Sequence, residues 1–185
     1  LQERARAIKS REEEMLQLQQ LLKEKDYDLS RLKSSVADAL LGFKGEGLTV
    51  EERDSKLYVS LENSLLFPSG SWEVNENGKK AIVELAKVLV QQSDIQITVE
   101  GHTDNVPYMG TGLIKDNWDL SVMRATAIVR ILSNNKGLKL NRITAAGRGS
   151  HSPLVENNSS ENRAVNRRTE IILSPNMDKL MELLD

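Results

Sequence analysis

Leu1, Ile8, Met15, Leu22, Leu29 and Val36 recur every seven residues without interruption. Three positions on from each lie Arg4, Arg11, Leu18, Lys25, Leu32 and Ala39, a row that turns apolar only toward its end. No Gly or Pro interrupts the segment before Gly42, and Glu, Lys, Gln, Arg and Leu dominate it, all good helix formers. One full apolar row beside one patchy row predicts a long helix over residues 1–41 that pairs as a coiled coil of modest stability. A lone solvated helix, or an amphipathic helix folded back on a domain, fits the same pattern. Self-association is preferred because six apolar positions would otherwise face water.

After Gly42, Gly45 and Gly47 the pattern changes. Leu48–Glu52 and Lys56–Leu61 read as two strands around the turn residues Arg53, Asp54 and Ser55, with Val50, Leu57 and Val59 alternating with polar neighbours. Residues 77–92 carry Ile82, Leu85, Ala86 and Leu89 at helical spacing. Ile95, Ile97 and Val99 predict a core strand ending at Gly101, and a second helix runs from near Leu120 to Ser133. Arg142–Ala146 is a third core strand, Glu161–Asn166 a short helix and Thr169–Leu173 a final strand. Met177, Leu180, Met181 and Leu184 place an apolar stripe on a terminal helix. The fold class predicted is α+β, an α/β sandwich: a mixed β-sheet with helices packed on one face, preceded by a long helix. The expected division is a stalk over 1–41, a compact domain over 46–174 and a C-terminal helix over 175–185.

Composition narrows the function. With 25 basic and 27 acidic side chains the net charge is −2, which gives nucleic acid no electrostatic footing. Without cysteine there is no disulfide, thiolate metal site or thiol nucleophile. The two histidines, His102 and His151, are too few for a histidine-rich metal centre. No window approaches the ~18 apolar residues of a membrane helix. The first residue is Leu rather than Met, so a membrane anchor is expected in a missing N-terminal part.

Four blocks then agree in order: Phe67-Pro68-Ser69-Gly70-Ser71; Val99-Glu100-Gly101-His102-Thr103-Asp104-Asn105; Asn117-Trp118-Asp119-Leu120-Ser121 followed by Arg124-Ala125; and the stretch from Asn162 to Ile171, Asn-Arg-Ala-Val-Asn-Arg-Arg-Thr-Glu-Ile. Over about residues 48–173 the chain resembles the OmpA-like domain shared by OmpA proteins, Pal lipoproteins and MotB-type stator proteins. That resemblance implies non-covalent binding of the diaminopimelate of the peptidoglycan peptide stem. It places Asp104 and Arg124 on the free end of diaminopimelate, with Thr103, Asn105, Asn117, Leu120 and Arg167 around them. Asn117 would offer its amide to the peptide backbone, Leu120 would be pocket wall, and Arg167 would be a second group for the ligand carboxylate. Arg163 and Arg168 would brace the fold.

The chemistry matches that assignment. A free amino-acid end carries an ammonium beside a carboxylate; a carboxylate receives the first, and a guanidinium binds the second with two parallel bonds. A helix N-terminus near Arg124 would add free N–H groups. Two departures stand out. The stretch Val106–Lys115 spaces Asp104 from Arg124 as in the MotB branch, and Gly70 stands where many members carry a polar residue. His102 is expected to be structural, and Trp118 a packing or loop anchor.

The function expected is a non-enzymatic tether joining a bacterial membrane to the wall, with no cofactor, no metal and no catalytic residue. It would work in the periplasm, attached to the outer membrane and associating with its own copies through the coiled coil. The alternative is the periplasmic part of a MotB-type stator, attached to the inner membrane. A wall hydrolase is disfavoured, because no acid–base pair, activated nucleophile or zinc ligand set is visible.

Overall fold

The structure is a computed structural model that describes residues 2–110 and 112–178. A 38-residue helix α1 (Gln2–Ala39) leads through a 3-10 turn at Leu41–Phe43 into the hairpin β1 (Leu48–Arg53) and β2 (Lys56–Glu62). A single helical turn, α2 (Asn63–Leu66), precedes the loop to α3 (Glu76–Val90) and β3 (Ile95–Gly101). Then come α4 (Asn117–Ser133), β4 (Ile143–Gly147), α5 (Ser160–Asn166) and β5 (Arg168–Pro175). The sheet order is β1-β2-β5-β3-β4, antiparallel throughout except for the parallel pair β3–β4. This is the mixed sheet that the sequence predicts.

Period-2 alternation decides which face is buried. Leu57, Val59 and Leu61 of β2, Ile95, Ile97 and Val99 of β3, and Ile171 and Leu173 of β5 form one apolar face. Ile82, Leu85 and Leu89 of α3 and Ala125, Ile128 and Leu132 of α4 cover it. The opposite face carries Tyr58, Ser60, Thr98, Glu100, Glu170 and Ser174, and lies away from α3 and α4.

The long helix corrects one expectation. The predicted boundary at residue 41 is not where packing changes. Leu29, Leu32, Val36 and Leu40 are buried in the domain core, where α1 packs on α3, β1 and β2, and Lys25 pairs with Asp94. The reason is that Leu29, Leu32, Val36 and Leu40 fall on one helical face, wide enough to lie across a sheet. Toward the N-terminus Arg4 and Arg11 break the second row, so Ile8, Met15 and Leu22 are left 59%, 60% and 40% exposed. Leu32→Ala is therefore expected to lower unfolding stability by about 2–5 kcal/mol, as for a core residue. Met15→Ala should change it by less than about 0.5 kcal/mol in a dilute sample; urea unfolding followed by circular dichroism measures both.

Among the described residues no helix is long and apolar enough to cross a membrane. The predicted terminal helix falls mainly on residues 179–185, outside the described residues; Pro175 still belongs to β5.

Two glycines set α4 against the sheet. Gly101 and Gly147 are cross-strand partners at the ends of β3 and β4. A Cβ on Gly101 would stand 2.1 Å from the Ser121 carbonyl oxygen, and one on Gly147 2.4 Å from Ser121 Oγ. Only hydrogen atoms leave room for α4 to lie directly on the strand ends. Thr103 and Asp104 lie two and three residues beyond Gly101, and Arg124 lies nearly one turn beyond Ser121, so this close approach brings the two motifs together.

Candidate functional site

Asp104 is buried at the end of β3. Its Oδ1 accepts a hydrogen bond from Val106 N–H at 3.0 Å, and its Oδ2 receives Arg167 Nη1 at 2.6 Å. Arg167 comes from the α5–β5 junction, whose backbone is fixed by Asn63 N–H donating to Arg167 C=O at 2.9 Å. Arg124 is buried in the second turn of α4; its Nε donates to Ser71 C=O at 2.9 Å, and its guanidinium carbon lies 5.1 Å from the Phe67 ring centroid. Arg124 and Arg167 line one cleft with Asn63, Phe67, Pro68, Gly70 and Ala164. Burial lowers the Arg124 pKa to about 10, partly opposed by Tyr108 and Asp104 and reinforced by Arg167, so the group stays charged at neutral pH. Two guanidinium groups therefore line the cleft, and one of them, Arg167, is bonded to the buried Asp104 carboxylate, which puts a group for an anion next to one for a cation.

The remaining predicted residues separate by position. Thr103 is buried, with Oγ1 donating to Asp104 C=O at 3.0 Å and N–H donating to Gly149 C=O at 2.8 Å. Asn117 donates its amide to Val106 C=O at 2.9 Å, with a longer contact of 3.4 Å to Asp104 C=O. These bonds shape the loop after β3, so the Asn117 N–H donor is already used within the protein rather than held free for a ligand. Asn105 is exposed on that loop, and Leu120 is buried in α4. The expected free N–H groups of α4 are partly taken as well, because Asp116 Oδ1 caps Trp118 N–H at 2.9 Å and Asp119 N–H at 3.0 Å. Gly70 has a φ of +69°, and nothing lies within 4 Å of a Cβ there, so the cleft is open at that point. Sequence reasoning missed Phe67 as the surface beneath Arg124 and Ser71 C=O as its anchor, although both stand in a block singled out beforehand.

A second ionic cluster lies on the sheet face away from α3 and α4. Glu100 and Glu170 are cross-strand partners, a like-charge pairing that needs compensation. His102 Nε2 sits 3.2 Å from Glu100 Oε1 and 3.5 Å from Glu170 Oε2. Arg148 Nε holds the outer oxygen of Glu100 at 3.0 Å. Arg168 Nε and Arg53 Nη2 hold that of Glu170 at 3.0 and 3.3 Å. Glu100, His102 and Glu170 could present three metal-ligand atoms within 4.8 Å of one another. Three guanidinium groups already pair with the two carboxylates, so their negative charge is compensated within the protein.

Burial would raise the Glu170 pKa, but His102 and Arg168 outweigh it and bring the group from 4.5 to about 2; Glu100 is lowered through His102 and Arg148. A depressed carboxylate contributes stability that is present above its unfolded pKa and lost as pH falls through the folded one. The melting temperature should therefore fall between about pH 4.5 and pH 2 more steeply in the wild type than in Glu170→Gln. Parallel slopes would contradict this role.

The OmpA family model matches residues 66–167, more than half of the chain, and includes Asp104, Arg124 and Arg167. The chain belongs to the OmpA family. Within it, this OmpA-family chain is 30% identical over 149 residues to motility protein B of Bacillus subtilis, covering 80% of the chain and 57% of that protein. It thus spans little more than half the length of that curated relative. Its fold is similar to a MotB-like protein from Desulfovibrio vulgaris, with a TM-score of 0.76 at 26% identity, covering 84% of this chain and 96% of that one. It is also similar to the cell wall anchor of the T6SS from Pseudomonas aeruginosa, with a TM-score of 0.68 at 32% identity, covering 76% and 96%.

Proposed function

We propose that this OmpA-family domain binds peptidoglycan non-covalently, through the free zwitterionic end of diaminopimelate in the peptide stem, and performs no chemistry on it. The observation that carries the reading is that Arg124 and Arg167 line one cleft and that Arg167 is bonded to the buried Asp104 carboxylate. Arg124 presents a guanidinium to the ligand carboxylate. Asp104 exchanges part of its bond with Arg167 for the ligand ammonium, and the released Arg167 N–H groups turn to the carboxylate. The buried Asp104 carboxylate keeps a cationic partner in both states, which a buried charge requires.

In the whole protein the domain acts as a periplasmic anchor for a membrane-attached assembly. A tether to the outer membrane and a stator in the inner membrane use the same cleft. The similarity to motility protein B along 80% of the chain favours the stator. The exposed row Ile8, Met15 and Leu22 supports pairing of α1 with a second copy.

Calorimetric titration of the chain with a diaminopimelate-containing tripeptide tests the binding reading. One-to-one binding is expected, weakened at least about tenfold when the free carboxylate is amidated, since a charged hydrogen-bonded partner is lost. Equal affinity for both ligands would refute it. Release of soluble fragments from intact wall by the purified chain would refute the non-enzymatic reading.

A further inference from the structure

Trp118 is the second residue of α4 and is 48% exposed. Large aromatic side chains usually serve by being covered, yet this one is held rigidly and left open. Asp116 fixes its backbone from the helix cap. The indole stacks on the His151 imidazole with centroids 5.0 Å apart and planes at 21°. Gly149 passes beneath the pair at a φ of +53°, a conformation that favours glycine, and a Cβ there would lie 3.5 Å from the indole and 3.6 Å from the imidazole. His151 therefore backs the indole, and about half of the Trp118 surface stays open to solvent.

We propose that this open surface of Trp118 is a saccharide subsite, stacking on a pyranose ring of the glycan strand while the neighbouring cleft holds the stem attached to it. The proposal rests on the cleft taking the stem peptide. A pyranose presents a flat patch of C–H groups ringed by hydroxyls, which suits an aromatic plane with a polar rim. The polar groups adjoining it here are the exposed His151 ring stacked on the indole and Asp116 at the helix cap.

Two backbone links tie this shelf to the cleft. Asn117, next to Trp118, donates to Val106 C=O at 2.9 Å, two residues beyond Asp104. Gly149 C=O accepts Thr103 N–H at 2.8 Å, immediately before Asp104. Six residues of helix separate Trp118 from Arg124, roughly 9 Å of rise with about 120° of net rotation, so a stem joining them must reach round the start of α4 as well as along it. A three-residue stem, extended between sugar and diaminopimelate, covers roughly 10 Å.

The test compares two probes on the intact chain: the diaminopimelate tripeptide alone, and the same tripeptide on its N-acetylglucosaminyl-N-acetylmuramic acid disaccharide. The wild type is expected to bind the disaccharide-bearing probe about tenfold more tightly. Trp118→Ala should lose that gain while holding the bare tripeptide within about twofold, which also reports that the variant is folded. Trp118→Phe should keep part of the gain. Equal affinity of the wild type for both probes, or an equal loss of both in Trp118→Ala, overturns the saccharide subsite and leaves the stem reading standing. Failure of the wild type to bind either probe overturns both.

Discussion

Gly101→Ala is expected to destabilise the domain by more than about 3 kcal/mol, beyond the usual range for one added methyl in a packed interior. The new Cβ would stand 2.1 Å from the Ser121 carbonyl oxygen and 2.9 Å from the carbonyl carbon. Both are backbone atoms of α4, so no side-chain rotation relieves the contact. The helix must lift from the end of β3, taking Arg124 away from the segment that carries Asp104. Gly70→Ala is the contrasting case, because nothing lies within 4 Å of a Cβ there and only the strain of its positive φ is added. Denaturant midpoints of the two variants should differ widely. Similar midpoints would mean that α4 is not seated on Gly101 in solution.

Arg124→Ala is expected to lower affinity for the diaminopimelate stem about 30-fold or more. Removing one partner of a buried, hydrogen-bonded charge pair costs about 2–5 kcal/mol, and ~1.4 kcal/mol is a factor of ten. Arg124 is preorganised before the ligand arrives, anchored to Ser71 C=O and packed on Phe67. Arg124→Lys should recover part of the loss, because an ammonium supplies charge without two parallel N–H bonds. Asp104→Asn should be about as severe as Arg124→Ala, since it leaves the ligand ammonium unmatched and Arg167 without its ionic partner. Fluorescence or calorimetric titration of the three variants reads the order directly.

The periodic parts of this fold were legible in the sequence because period-2 and helical apolar spacing carry their own geometry. β2, β3, α3 and α4 follow directly from Leu57/Val59, Ile95/Ile97/Val99, Ile82/Leu85/Leu89 and Ile128/Leu132. The one-turn α2 was not legible, since four residues are too few to show a period. The division of α1 was hidden for another reason. A heptad row states that one helical face is apolar but not what covers it, and the same Leu29, Leu32 and Val36 that suit a partner helix here meet the domain's own core.

The candidate site divides in the same way. Asp104, Arg124 and Arg167 stand in ordered blocks and were singled out together. The closure of Arg167 on Asp104 across 63 residues, and the use of Asn117 to hold the loop, depend on tertiary placement that no local spacing encodes. The Glu100–His102–Glu170 network lay in plain view in two motifs, but only the β3–β5 register makes its carboxylates neighbours.

The most direct test is a thermodynamic cycle that crosses Arg124→Ala with amidation of the free diaminopimelate carboxylate, four affinities measured under one buffer condition. If Arg124 holds that carboxylate, amidation weakens the wild type strongly and the variant hardly at all, giving a coupling of about 1.5 kcal/mol or more. Independent, additive losses would place the carboxylate elsewhere on the protein and contradict recognition of the zwitterion at this cleft.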